Sequence, residues 1–159
     1  MKKNFFGSLF LISVFFLVGF FLVNYPVRNL TPEDIESVKI AGQDIRVGLA
    51  LSEMEKSKGL SGRTNLKDDE GMLFVFTKPG KYYFWMKDMN FPIDIIWLAP
   101  SEGGDAEDMK VVYIKKDARP ELYPETYGPD QDAKYVLEVN AGFSEKNNLK
   151  EGDNVLFTY

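Results

Sequence analysis

From Ile35 to Leu51 the chain alternates apolar and polar positions approximately. Ser37-Val38-Lys39-Ile40 is followed by a break at Ala41-Gly42-Gln43 and then by Asp44-Ile45-Arg46-Val47-Gly48-Leu49-Ala50-Leu51. Two alternating runs around a Gly-containing break predict a hairpin. The pattern then changes. Ser52 is followed three residues later by Glu55, a capping box that predicts a short helix through about Lys58, and Gly59 supplies the stop. Leu60–Glu70 reads as a polar connection.

The densest apolar stretch runs from Gly71 to Leu98. Met72–Phe76 and Tyr82–Met86 carry large apolar side chains on both faces, which places such strands at the centre of a sheet or barrel. Lys78-Pro79-Gly80 between them suits a type II turn. In Ile93–Leu98 the period of two puts Ile93, Ile95 and Trp97 on one face and Asp94, Ile96 and Leu98 on the other. Asp94 therefore shares its face with apolar neighbours.

Farther along, Lys110–Lys115, Tyr135–Val139 and Val155–Thr158 read as strands. Gly142–Asn148 reads as a single helical turn with Ser144 as N-cap. Ala99–Asp108 is a Gly-rich acidic loop, and Asp117–Ala133 is a long aperiodic connection carrying Tyr123 and Tyr127. Seven or eight short strands and two short helices predict an α+β, mostly antiparallel β fold. The expected form is a small twisted sheet or barrel-like domain.

The N-terminus differs in kind. Phe5–Val23 holds no charge and, as a helix, spans roughly 28 Å, close to the hydrocarbon core of a bilayer. Its exit, Leu22-Val23-Asn24-Tyr25-Pro26, offers no small-x-small cleavage site, and Lys2 and Lys3 favour a cytoplasmic N-terminus. The expected organisation is a signal anchor or transmembrane helix over residues 1–23, a linker over 24–34 and a single mixed β domain over 35–159. The domain is expected on the extracytoplasmic side, with secretion after signal cleavage as the alternative.

Composition narrows the chemistry. The chain contains neither Cys nor His, so disulfides, thiolate nucleophiles, imidazole metal ligands and Ser-His-Asp or Cys-His pairs are excluded. Net charge is −5, and with Lys2 and Lys3 set aside 17 basic residues face 24 acidic ones. That balance repels phosphate backbones, so nucleic acid is not an expected partner. No cofactor and no metal site are expected. The acidic loop Glu102–Asp108 lacks the ligand spacing of an EF-hand and reads as solvated.

Gly71–Phe76 (GMLFVF), Phe84–Lys87 (FWMK), Pro92–Asp94, Val136–Glu138 (VLE) and Gly152-Asp153 occur in order, after Glu53, Gly59-Leu60 and Arg63. Over Val38–Tyr159 this set resembles domain of unknown function 192, a family of bacterial and archaeal envelope proteins. The resemblance implies a small extracytoplasmic mixed β domain and brings no activity with it. The chain departs from the family pattern at Ser61-Gly62, where Met-x usually precedes the Arg, and at Asp88-Met89, where Asn-Thr is usual.

Arg63, Trp85, Lys87, Asp94 and Glu138 are the candidate ligand-binding residues. In one reading Arg63 and Lys87 line a cleft for an anionic or sugar-like ligand, with Trp85 as a stacking face. In another, Asp94 and Arg63 form a buried structural ion pair. The chain is accordingly expected to be a non-catalytic small-ligand or cell-envelope binding module. Two alternatives stand beside it: an envelope protein-interaction domain using Asp117–Ala133, and a hydrolase using Asp94 and Glu138 as paired carboxylates.

Overall fold

The computed structural model describes residues 30–101 and 108–159. The expected membrane helix at Phe5–Val23, most of the linker and residues 102–107 of the acidic loop lie outside them. Among the described residues, no helix is long and apolar enough to cross a membrane.

Seven strands close into a barrel in the order β1-β2-β3-β8-β5-β6-β9. Their ranges are β1 Ser37–Ile40, β2 Gln43–Ala50, β3 Glu70–Gly80, β5 Ile93–Pro100, β6 Asp108–Ala118, β8 Ala133–Asn140 and β9 Asn154–Thr158. Every pairing is antiparallel except β2 with β3. The hairpin β1–β2 turns at Ala41-Gly42, as the alternation predicts. Helix α1 (Glu53–Lys58) starts at Ser52, whose Oγ accepts from Glu55 N, while Glu55 Oε2 accepts from Ser52 N.

Alternation sorts the apolar side chains into two layers. Val38, Ile40, Ile45, Leu73, Ile96, Leu98, Met109, Val111, Leu137, Val139, Val155 and Phe157 come from all seven strands and fill the barrel interior. Phe74, Ile93, Ile95, Trp97, Val112 and Val136 point the other way. They are covered by Leu60, Leu66, Met86 and Tyr127 from the connections. The protein thus has a filled barrel and a second apolar layer outside it.

That second layer corrects three sequence expectations. Lys78-Pro79-Gly80 is not a hairpin turn: β3 runs on through it, with a register shift between Val75 and Gly80. Tyr82–Met86 is not a central strand. Only Phe84–Trp85 (β4) is extended, and it pairs outside the barrel with β7, Thr126–Tyr127. The segment is apolar because it packs on the barrel's outer face, where Phe84 meets Phe74 and Trp97 edge-on at 4.8 and 5.7 Å. Trp97 Nε1 donates to Tyr82 O at 2.8 Å and ties the cover down. Nor is Asp117–Ala133 without structure, since it contains β7 and a 3₁₀ turn at Pro120–Leu122.

Candidate functional site

Helix α1 stands between two open clefts. On one side Glu53, Lys56 and Ser57 face Phe74, Phe76, Tyr82, Tyr83, Phe84 and Trp85 across a space of about 250 Å³. On the other, Glu55 and Lys58 join Leu49, Gly59, Ser61, Gly62, Arg63 and Met72 around about 400 Å³. The helical period divides α1's polar side chains between the two.

The first cleft is aromatic. Phe76 and Tyr82 stack with centroids 3.5 Å apart, and the Tyr82 hydroxyl donates to Lys78 O at 2.6 Å. Lys56 Nζ lies 4.9 Å from the Phe76 ring centroid and 3.0 Å from Glu53 Oε1. Trp85 is 51% exposed and Tyr83 62% exposed, so both offer aromatic surface to solvent. Trp85 also meets the exposed Tyr123 edge-on at 6.2 Å.

The second cleft is polar and lies along the Gly59–Arg63 segment. Three hydrogen bonds hold this segment to the 87–90 segment: Ser61 Oγ donates to Lys87 O, Gly62 N to Asp88 O, and Asn90 Nδ2 to Arg63 O. The two places where the chain departs from the resembled pattern therefore dock on each other. Beneath the segment lies Glu138, 5% exposed, whose Oε2 has no hydrogen-bond partner. Burial pushes its carboxyl up to about 8, so it carries a proton at neutral pH.

A profile of the uncharacterized ACR family, domain of unknown function 192, matches residues 36–157. The chain belongs to this DUF192 family. A crystal structure of a protein of unknown function from Novosphingobium aromaticivorans DSM 12444 is similar to it at 31% identity and TM-score 0.68, over 82% of this chain and 89% of that one. A proposed transcription regulator from Sinorhizobium meliloti 1021 is similar at 26% identity and TM-score 0.66, over 76% and 90% of the two chains. No curated protein matches.

Within this DUF192 domain the five candidate residues do not converge on one pocket. Arg63 lines the polar cleft, Glu138 lies beneath it, and Lys87 is exposed on the segment docked to it. Trp85 belongs to the aromatic cleft beyond α1. Asp94 sits elsewhere. On the inner face of β5 it is fully buried, and it accepts from Asp117 N at 2.9 Å, Gly142 N at 3.3 Å and Ser144 N at 2.8 Å.

Asp94 is therefore not the ion-pair partner of Arg63. It ties β6 to the start of helix α2 (Phe143–Lys146), whose N-cap is Gly142 rather than Ser144. A distant carboxylate does the capping that a local hydroxyl was expected to do. The carboxylate pair fails on geometry as well. Asp94 lies opposite Val139 and Ile95 opposite Glu138, so the two acids point to opposite faces of the sheet.

Sequence reasoning missed Glu53, Lys56, Ser57 and Tyr83. Ser52 and Glu55 gave the position of α1, but no local signal told which apolar segment its flank would face. Among the described residues, no group of three or more His, Cys, Asp or Glu is placed to hold a metal ion.

Proposed function

We propose that this DUF192 chain is a non-catalytic, membrane-tethered envelope module that binds a small sugar-like ligand or cell-wall fragment in the aromatic cleft. The observation that carries it is the half-exposed Trp85 beside the polar groups of α1. An aromatic face stacks on the apolar C–H face of a sugar ring, while a few polar side chains fix its hydroxyls. Glu53, Lys56 and Ser57 supply both donors and acceptors at the rim. The apolar run Phe5–Val23 supports the tether and an extracytoplasmic position.

The cleft supports binding better than the competing readings. Hydrolysis by Asp94 and Glu138 has no shared site. For a protein contact through the Tyr-bearing connection, Tyr123 is available but Tyr127 is 6% exposed. The transcription-regulator description of one relative finds no support in the acidic charge balance of this chain.

The chain has two tryptophans, and Trp97 is fully buried, so a ligand-induced change in emission reports on Trp85. Titration of the full-length chain in detergent with N-acetylglucosamine tri- and tetrasaccharides is expected to give a saturable change. That change should be absent in Trp85→Ala. An unaltered emission up to millimolar ligand, or a signal that survives Trp85→Ala, counts against the reading.

A further inference from the structure

Glu138 is the anomaly of the second layer. Its neighbours across the sheet, Met72 on β3 and Ile95 on β5, are apolar, and Phe74 packs beside it. The charged side chains on the segment above it are Glu55, Lys58 and Arg63. Glu55 is engaged by Leu51 N, Ser52 N and Ser52 Oγ. Lys58 and Arg63 make no ion pair with any described residue.

Gly59 separates this carboxyl from the cleft by a single layer of backbone. A side chain there would put its Cβ 3.0 Å from Phe74 Cζ and 3.8 Å from Glu138 Oε2, at a backbone φ of +48° that disfavours any residue but glycine. The segment thus lies tight against Phe74 and in van der Waals reach of the buried carboxyl. Burying a carboxyl without a hydrogen-bond partner costs most for its charged form, which keeps the group neutral.

We propose that the cleft beside Gly59–Arg63 is a second binding site, for a small oxyanion (a carboxylate or phosphate group), gripped by Arg63 and Lys58 above the buried Glu138. Arg63 offers a planar fork matched to such a group, and Lys58 adds a point charge. Glu138 acts from behind the Gly59 backbone through its charge: protonated, it leaves these two cations unopposed, and ionised it would repel the anion. This site is independent of the sugar reading: it lies across α1 and uses none of the aromatic residues.

The test is calorimetric titration of the full-length chain with sulfate, whose charge does not change between pH 6.5 and 9.5, and with inorganic phosphate at pH 6.5. Saturable binding is expected at pH 6.5, weakened about tenfold or more in Arg63→Ala. In the wild type, sulfate binding is expected to fall several-fold as pH passes about 8 and Glu138 loses its proton. Glu138→Gln stays neutral at every pH, so its sulfate affinity should stay level across that range. Absence of saturable binding, an Arg63→Ala chain that binds like the wild type, or a wild-type pH profile as flat as that of Glu138→Gln each overturns the proposal. Failure of the N-acetylglucosamine titration leaves these results untouched.

Discussion

Asp94 and Glu138 occupy neighbouring strands one step out of register and point through opposite faces of the same sheet. Both are buried acids, yet their surroundings differ completely. Asp94 has three backbone N–H donors around it, and Glu138 Oε2 has none. The first organises the end of the barrel, and the second lies beneath the Gly59 segment.

Removing the Asp94 carboxylate strands the N–H groups of Asp117, Gly142 and Ser144. Asp94→Ala is expected to cost about 3 kcal/mol or more, given the worth of hydrogen bonds to a charged group and the cost of orphaned donors. Asp94→Asn keeps one acceptor oxygen and should lose roughly half as much. Urea unfolding midpoints of the three proteins check this. If Asp94→Ala unfolds at the wild-type midpoint, Asp94 does not hold β6 and α2 together.

Glu138 makes stability depend on pH in a defined window. Unfolded, its carboxyl loses the proton near 4.5; folded, it keeps it to about 8. Between those values the folded state binds the extra proton. Stability is therefore highest at the acid edge of the window and falls as pH rises through it, by about 1.4 kcal/mol per pH unit. Glu55, Asp69 and Glu70 are held below their ordinary values by hydrogen bonds from Ser52, Arg46 and Lys67, so their contributions are lost only as pH falls below about 4.5. Glu138→Gln should flatten the window and leave the protein more stable than the wild type at pH 8. Chemical denaturation at pH 5.5 and pH 8 compares the two.

Gly71 faces a tight boundary where β3 passes between β2 and β8. A Cβ there would lie 2.9 Å from the carbonyl oxygen of Glu138 and 3.1 Å from both Ile45 Cγ2 and Leu137 Cδ1. Because the nearest atom is backbone, it cannot rotate away. Gly71→Ala is expected to destabilise by about 2–3 kcal/mol, at the upper end for overpacking. A thermal melt within a degree of wild type would show that β3 and β8 have slack between them.

The elements legible in the sequence are those with local causes. Ser52 and Glu55 announced α1, alternation announced β1, β2 and β5, and the placement of Asp94 among Ile96 and Leu98 followed from the period of two. Tyr82–Met86 departs from the central-strand expectation because apolar residues on both faces need not both be buried: Tyr83 and Trp85 stay more than half exposed. Here one face meets Phe74 and Trp97 across the outside of a barrel. Asp94 departs from the ion-pair expectation for a different reason. Its partners are backbone N–H groups of residues 117, 142 and 144, and residue types carry no trace of those. Arg63 and Trp85 line separate clefts, and their separation by α1 depends on the fold alone.

The most direct test of the aromatic cleft uses the two tryptophan indole N–H signals in a ¹⁵N–¹H spectrum of the full-length chain. Trp97 Nε1 is bonded to Tyr82 O in the core, whereas Trp85 lies at the cleft mouth. Titration with an N-acetylglucosamine tetrasaccharide should move the Trp85 indole signal saturably and leave that of Trp97 in place. Two stationary indole signals at millimolar ligand, or a shift confined to Trp97, would contradict a ligand seated in the aromatic cleft.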